Sequence, residues 1–441
     1  MVASRALLLL VVWAAAPAQS QRATARIEWL RANVAPLESI DPSHPGFADL
    51  APLGRAIGGA RVVLLGEATR GDGSTFLAKS RVVRFLHEEM GFDILAFECG
   101  LHDCDRAWQV VADGGEAASA LRGALPRLYA EAAQFQPLVE LIGRQAVTER
   151  PLRVVGFDSQ TTGALGAEHL ADDLLRRLAA LDVDAAEIAG LPDFQRIVSE
   201  LARDAYASGE APVPSERARR GFAQALATIR EHVVTGSGLE AGFWRQVLAS
   251  LESSAEAAWR LGIYRPGTTV DPAIQNVHNR QMAENLLWLL NERHRTEKVI
   301  VWSTSIHVAR DLGRLQTGDP ELRERLGELS VLGEAVARAL GDDLYALAFT
   351  AATGRKGTVF GRPVPLLTPT AGSFEDLMAK TGLEAAFVDL RTLPQRRGGG
   401  WLGAPLIARP LTFVELMGVW PRHLDGLVFL RELEPAQRID R

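Results

Sequence analysis

Short apolar runs that end in polar residues recur along this chain, and helical patterns separate most of them. The first run begins at Arg61 and stops at Gly66-Glu67, and an amphipathic pattern from about Ser74 to Met90 follows it. Strands that alternate with helices are typical of βαβ units, so we expect an α/β protein with a mostly parallel sheet flanked by helices. Further strands are predicted at Phe92–Glu98, Leu152–Asp158, Lys298–Ser303, Leu344–Phe349, Ala385–Leu390 and Leu427–Phe429.

The alternation stops between Asp158 and Lys298, where amphipathic helical patterns follow one another without a clear strand. The predicted helices cover about 166–182, 193–207, 215–235, 241–262 and 272–295. We therefore expect one large α/β domain over 21–435 that carries a helical insertion at about 165–295. An insertion of this length is large enough to form a lid or one wall of a cleft.

The first twenty residues have the pattern of a secretory signal peptide. One positive charge precedes the apolar run Ala6–Ala16, and small residues that suit cleavage follow it. Eleven apolar residues are too few to span a bilayer, which needs about 20. We expect residues 1–20 to be removed and the mature protein to be exported, either periplasmic or secreted, without stable membrane association.

Charge and motif content exclude several classes of function. The net charge of −6 gives no electrostatic footprint for nucleic acid, so a small molecule is the expected partner. The sequence has no P-loop, GxSxG, HExxH or dinucleotide fingerprint, and no cofactor is expected. No Cys or His residues have the spacing of a zinc site. The two cysteines, Cys99 and Cys104, are either joined in a short disulfide or remain free thiols.

The candidate catalytic residues lie where four predicted strands end. Glu67, Glu98, Asp158 and the segment Ser303–His307 each lie at a strand exit. If the strands are parallel, these groups meet at one edge of the sheet. Carboxylates and an imidazole can take a proton from water, and a cation can hold the oxyanion that forms, so the set favours a hydrolytic centre.

Two predicted helices add further polar residues. Lys79 lies on the apolar stripe of the helix after Glu67, where we expect it to pair with Glu67 or Glu98. Arg81 lies off that stripe and is expected at the surface. His278 lies near the start of the helix at 272–295 and is placed to reach the cleft. The glycine-rich loop 391–402 follows a strand and is expected over the same edge.

An ordered set of short motifs resembles the erythromycin esterase family. It comprises Leu65-Gly-Glu-Ala-Thr-Arg-Gly71, Phe97-Glu98, Gly156-Phe-Asp-Ser-Gln160, Met282-Ala-Glu-Asn285, Trp302 with His307, and Phe387-Val-Asp-Leu-Arg391. The resemblance implies an α/β core with a deep cleft in which a histidine activates water to open a macrolide lactone, without a tightly bound metal. By position, the family's two glutamates are Glu67 and Glu98, its helix cation is Lys79 and its later histidine is His307.

The sequence departs from that family at the residues expected to carry the reaction. Arg70 replaces the water-activating histidine, Thr304 replaces a second histidine, and His278-Asn279 stands where an Arg-Asp pair is usual. Arginine cannot act as a base near neutral pH, because its pKa exceeds about 12. The family's standard mechanism is therefore not expected here.

Three hypotheses follow for the function. The first is an exported hydrolase of ester or lactone bonds, linked to antibiotic response, in which Glu67, Glu98 or His307 is the base and Arg70 holds the oxyanion. Lys79, Asp158, Thr304 and His278 would then bind substrate. The second is a non-catalytic small-molecule-binding protein, a pseudoenzyme in which Arg70 and Lys79 neutralise the glutamates. The third and weakest is a metal-dependent hydrolase with Glu67, Glu98, Asp158 and His307 as ligands.

Overall fold

Six parallel strands form the centre of the main sheet, as the alternating pattern predicts. The computed structural model describes residues 21–161, 163–203, 210–234, 238–261 and 271–439, so the predicted signal peptide at 1–20 lies outside the described residues. The strands are β1 Ala35–Pro36, β2 Val62–Glu67, β3 Phe92–Gly100, β4 Arg153–Asp158, β5 Lys298–Thr304, β6 Leu344–Lys356, β7 Val364–Pro365, β8 Ala385–Asp389, β9 Leu406–Ala408, β10 Leu416–Gly418 and β11 Gly426–Leu433.

The main sheet has the order β1-β8-β11-β6-β2-β5-β3-β4, and β7 pairs with the carboxyl-terminal end of β6. Strands β11, β6, β2, β5, β3 and β4 pair in parallel, whereas β1, β7 and β8 are antiparallel to their neighbours. A separate two-stranded ribbon pairs β9 with β10. The fold class predicted from the sequence is confirmed.

Helices cover both faces of the sheet. They are α1 at 21–33, α2 Ala51–Ile57, α3 Gly73–Met90, α4 Leu101–Ala112, α5 Ala117–Ala124, α6 Arg127–Ala130, α7 Gln136–Ala146, α8 Ala164–Ala179, α9 Leu191–Ala202, α10 Glu216–Val233, α11 Leu239–Leu261, α12 Pro272–Trp288, α13 Ser305–Val308, α14 Pro320–Glu328, α15 Leu332–Leu340 and α16 Phe374–Lys380. No helix in the described ranges is long and apolar enough to cross a membrane.

Alternate residues of the buried strands point into two separate hydrophobic cores. In β2, Val62 and Leu64 belong to the core that also contains apolar residues of α8–α12, while Val63 and Leu65 belong to the core that contains those of α2, α3, α5 and α7. This alternation is the consequence of the two-residue side-chain period of a strand that is buried on both faces. The region between β4 and β5, where the described residues form helices α8–α12 and no strand, supplies a large share of the core on the first face.

The structure corrects the predicted position of loop 391–402. Strand β8 runs antiparallel to β11, with Asp389 opposite Gly426 at the start of β11. Arg391, which follows β8, donates to the carbonyl of Leu344 at the start of β6 and pairs with Asp425 at 2.9 Å. The loop therefore emerges at the amino-terminal edge of the parallel strands, opposite the candidate site.

The surface position predicted for Arg81 is also wrong. Its side chain is 2% exposed and forms two 2.7 Å hydrogen bonds with the carboxylate of Asp49. The segment before β2 folds over α3 and covers the face on which Arg81 lies, and its carbonyls at Ser39 and Gly46 accept two further bonds from the guanidinium. A helical wheel of α3 alone carries no information about that distant segment.

The two cysteines form a disulfide in the structure. Cys99 is the penultimate residue of β3, and Cys104 lies in α4, five residues later. The bond ties the strand exit that carries Glu98 to the following helix. Of the two alternatives that the spacing left open, the disulfide is the one observed.

Candidate functional site

Four polar strand ends lie side by side at the carboxyl edge of the sheet. Strands β2, β5, β3 and β4 are consecutive in the sheet, and Glu67 is in register with Thr304. On the other side of β5, Phe97 pairs with Trp302, which places Glu98 next to Ser303. Gly66 permits a close approach at this edge, because a Cβ there would lie 2.6 Å from the Ser305 Cα. The predicted convergence is therefore present.

Glu67 forms a sealed ion pair with Lys79 from α3. Both side chains are 0% exposed, and the Tyr129 hydroxyl donates to the other oxygen of Glu67 at 2.6 Å. Lys79 also donates to the Ser303 carbonyl at 3.2 Å and lies 3.9 Å from the centre of the Trp302 ring. Burial lowers the pKa of Lys79 to about 8, although the charge of Glu67 opposes that shift, so the ammonium remains charged at neutral pH. We call Glu67 and Lys79 the sealed pair.

Glu98 forms a second ion pair, with Arg70, that opens to solvent. The carboxylate is 2% exposed and the guanidinium is 42% exposed. Ser303 donates its hydroxyl to the carboxylate, and the backbone N–H of Thr304 donates to the same oxygen at 3.3 Å. The Glu98 carboxylate is thus bound by two groups of β5 and by the guanidinium of Arg70. We call Glu98 and Arg70 the open pair.

His307 lies beside the open pair with one ring nitrogen unused. Its Nε2 is 3.9 Å from Glu98 Oε1, the ring is 15% exposed, and Nδ1 finds no hydrogen-bond partner among the described residues. Burial first, and then electrostatic interactions with Arg70 and His278, lower the pKa of His307 to about 3. The imidazole is therefore neutral at physiological pH and has a nitrogen lone pair available.

Thr304 adds a hydroxyl at the same strand end. The residue is 7% exposed, and its Oγ1 has no hydrogen-bond partner within the described parts of the chain. Its backbone N–H already binds Glu98. The position therefore presents a small polar group where the resemblance implies a second histidine.

Asp158 and His278 meet on the other side of the cleft. His278 Nε2 is 3.4 Å from Asp158 Oδ1, and Nδ1 is 2.7 Å from the Ser159 hydroxyl. Asp158 also accepts the backbone N–H of Gln160 at 3.0 Å. The prediction that α12 delivers His278 to the strand ends is therefore correct in position, whereas the sequence argument did not assign a role to Ser159.

Three more polar residues of this region escaped the sequence argument. Tyr129, which binds Glu67, comes from a four-residue helix with no pattern of its own, and Ser303 was noted only as part of a segment. Asp72 is buried at the start of α3, and burial raises its pKa to about 7. Its carboxylate accepts from the backbone N–H of Thr69 at 2.8 Å, which shapes the loop that presents Arg70.

The geometry gives no support to the metal hypothesis. Among the described residues, no group of three His, Cys, Asp or Glu side chains is arranged to hold a metal ion. The carboxylate oxygens of Glu67 and Glu98 instead face Lys79, Tyr129, Ser303 and Arg70. These donors compete directly with any cation for the same lone pairs.

Comparison with known proteins gives the family. The model of the erythromycin esterase family matches residues 87–433. The chain belongs to the erythromycin esterase family. Membership supports a hydrolase-like function. The matched range includes Glu98, Asp158 and His307, while Glu67, Arg70 and Lys79 precede it.

Individual relatives span almost the whole chain. "Putative hydrolase YbfO" of Bacillus subtilis (strain 168) is 22% identical over 426 residues, 92% of this chain and 91% of its own. Erythromycin esterase type II of Escherichia coli is 22% identical over 401 residues, 83% of this chain and 89% of its own. A solved structure of a Bacillus cereus protein has a TM-score of 0.72 at 19% identity, over 95% of this chain and 99% of that one, and shows the shared fold.

Proposed function

We propose that the protein hydrolyses an ester or lactone bond in the cleft at the carboxyl edge of the sheet. The proposal rests on the open pair and on His307, which lies beside it. These three residues bring a buried carboxylate, a half-exposed cation and a neutral imidazole close together. Hydrolysis by water needs a base for the water and a cation for the oxyanion, and these groups supply both.

Each of the three residues receives a separate role in this reaction. His307 takes the proton of the attacking water at Nδ1, the nitrogen without a partner. Glu98 lies 3.9 Å from Nε2 and stabilises the imidazolium that forms. Arg70 holds the oxyanion, because its guanidinium has five donors and only part of it is used by Glu98. The proton then leaves with the alcohol as the bond breaks.

The sealed pair has a positioning role in this proposal. Both oxygens of Glu67 have donors and neither Glu67 nor Lys79 is exposed, so neither touches a substrate. Lys79 instead holds the Ser303 carbonyl and thereby the strand end that carries Thr304 and His307. A direct catalytic role for Glu67 stays a prediction from the sequence.

A non-catalytic small-molecule-binding protein is the second candidate, and the two ion pairs favour it. Each glutamate that the resemblance places in the reaction is neutralised by a cation, and Arg70 is the cation that replaces the family's water-activating histidine. In this case Arg70, Thr304 and His278 would line a polar binding pocket. The substrate panel below separates the two candidates.

Export is proposed on two observations. The residues at 1–20 have a signal-peptide pattern, and the Cys99–Cys104 disulfide is the form expected in an oxidising compartment. Amino-terminal sequencing of the protein from periplasmic and medium fractions tests this directly. A mature chain that begins near Gln21 is expected, and an intact Met1 in the cytoplasmic fraction would contradict export.

The test of the hydrolase uses mature protein with a macrolide and a panel of lactones and esters in ¹⁸O-labelled water. Mass spectrometry detects a product that carries one labelled oxygen. Glu98→Gln is expected to lower turnover by about 100-fold, since the imidazolium loses its counter-charge. Glu88→Gln, on the outer face of α3, is the matched control and is expected to leave turnover unchanged. Ligand binding without any product, combined with hydrolysis gained by Arg70→His, would support the binding protein instead.

A further inference from the structure

A hydroxyl, an imidazole and a carboxylate form a continuous chain at the exit of β4. Ser159 Oγ is 2.7 Å from His278 Nδ1, and His278 Nε2 is 3.4 Å from Asp158 Oδ1. A carboxylate next to Nε2 places the ring proton there and leaves the Nδ1 lone pair facing Ser159. The Ser159 hydroxyl therefore donates to His278. This is the arrangement by which a serine is activated as a nucleophile, with the roles of the two ring nitrogens exchanged.

Neighbouring groups hold this chain in place. Asp158 accepts from the Gln160 N–H at 3.0 Å, and the Ser159 carbonyl accepts from Ser254 Oγ at 2.7 Å. Asn285 from α12 donates to the Phe157 carbonyl at 3.1 Å and so fixes the helix of His278 against β4. Precise positioning of this kind is what separates an activated serine from an ordinary surface hydroxyl.

We propose that Ser159 is a nucleophile that accepts a small acyl group from an ester. Ser159 Oγ attacks the carbonyl carbon while its proton passes to His278 Nδ1. The ester C–O bond then breaks, and the alcohol leaves with the proton from His278. Water afterwards cleaves the acyl-Ser159 bond, with the proton returned through His278 to Ser159 Oγ, so that a carboxylic acid is released.

Burial sets the size of the group that Ser159 accepts. Ser159 is 2% exposed, whereas the His278 side chain is 19% exposed and lies on the open side. Ser159 and His102 both line a cavity of about 10 Å³ with mixed polar and apolar walls, which is the room that one water needs. Because only 2% of Ser159 is exposed, we expect a small acyl group such as acetyl and the exclusion of bulky acyl groups.

His102 gives the cavity an acceptor for that water. Its Nε2 is bonded to Asp173 at 2.8 Å, and its Nδ1 has no hydrogen-bond partner among the described residues. A water in the cavity would thus lie between an imidazole lone pair and the acylated serine. The inference goes beyond the proposed hydrolase, because acylation of Ser159 requires neither Arg70 nor His307.

The experiment measures acylation directly. Mature protein is treated with p-nitrophenyl acetate and, separately, with methanesulfonyl fluoride, a serine reagent of similarly small size, and peptide mass spectrometry locates the modified residue. Modification at Ser159 is expected in the native protein and none at this peptide in Ser159→Ala. His278→Gln is expected to lower the acetylation rate by about 100-fold. Ser80→Ala is the matched control, since that buried hydroxyl donates only to the Phe76 carbonyl of its own helix.

The outcomes separate this inference from the proposed hydrolase. Modified Ser159 in a protein that hydrolyses nothing in the lactone and ester panel supports the nucleophile and rejects the hydrolase. The opposite result is that neither reagent modifies Ser159 and that Ser159→Ala still hydrolyses the lactones and esters at the native rate. That result rejects the nucleophile and leaves the proposed hydrolase unaffected. Circular dichroism shows whether each variant is folded. Ser159→Cys keeps a nucleophile of similar size, so its alkylation by a thiol reagent independently tests whether a small molecule can reach this position.

Discussion

The sealed pair and the open pair are chemically alike and lie on adjacent elements, yet their surroundings differ. Lys79 and Glu67 are both 0% exposed, while Arg70 is 42% exposed above a Glu98 that is 2% exposed. A fully buried pair depends on its partners, since removal of one charge leaves the other without water. A pair that opens to solvent can exchange a partner for a substrate. The comparison suggests that one pair supports the strand ends and the other meets ligands.

The largest effect on stability is expected from breaking the sealed pair. Lys79→Met leaves the Glu67 carboxylate buried with Tyr129 as its remaining donor, so the free energy of unfolding should fall by about 3–5 kcal/mol. Urea unfolding followed by circular dichroism measures it. Lys380→Met is the control, because Lys380 is 51% exposed and pairs with Asp376 on its own helix. Equal effects of the two substitutions would show that Glu67 is hydrated.

A smaller effect is expected from the hydroxyl that completes the sealed pair. Tyr129→Phe removes the 2.6 Å bond to Glu67 and should lower stability by about 1.5–3 kcal/mol, the usual range for a hydrogen bond to a charged group. Tyr345→Phe is the control, because Tyr345 is as buried as Tyr129 but its hydroxyl donates, at 3.2 Å, to the neutral carbonyl of Asp425. The same urea measurement should therefore give a larger loss for Tyr129→Phe, and the reverse order would contradict this reading of Glu67.

The pH dependence of stability tests the surroundings of the open pair. The pKa of His307 is lowered from 6.5 to about 3 in the fold, so the unfolded chain takes up the proton first. Stability should therefore fall as pH drops from about 6.5 to about 3, with a loss of about 2 kcal/mol at pH 5 from this group. His307→Asn should lose less stability between pH 7 and pH 5 than the native protein. Parallel curves would mean that His307 is not buried as a neutral ring.

The smallest stability effect is expected at the open pair itself. Arg70→Ala should change the free energy of unfolding by about 1 kcal/mol or less, since water can replace the half-exposed guanidinium. Arg81→Ala is the matched arginine, because its pair with Asp49 is 2% and 3% exposed, and it should cost about 3–5 kcal/mol. Thermal unfolding of both variants measures the difference. A large loss in Arg70→Ala would make Arg70 a structural residue.

Sequence reasoning succeeded here where local patterns decide the outcome. Apolar strands with polar ends predicted β2, β3, β4 and β5 and placed their four polar exits together, because parallel neighbours share one edge. The lysine on an apolar helical stripe predicted the burial of Lys79, and the structure shows Glu67 rather than Glu98 as its partner.

The misses share one physical cause, which is dependence on residues that are distant in sequence. Arg81 is buried by the segment that carries Asp49, and no helical wheel includes that segment. Loop 391–402 lies at the opposite edge because β8 is antiparallel, a choice made by its pairing with β11 and β1. Ser159 gains its partner only when α12 folds back onto β4, so its hydroxyl had no signal in the sequence alone.

The account rests on the claim that the open pair and His307 form a hydrolytic centre, and turnover of His307→Gln tests it most directly. The measurement is kcat of native protein and variant on the best substrate of the lactone and ester panel, with His169→Gln on α8 as the control for a histidine outside the cleft. We predict a loss of about 100-fold or more for His307→Gln and none for His169→Gln, because the lone pair of His307 lies beside the open pair, whereas His169 lies on α8. Unchanged turnover in folded His307→Gln would contradict the account.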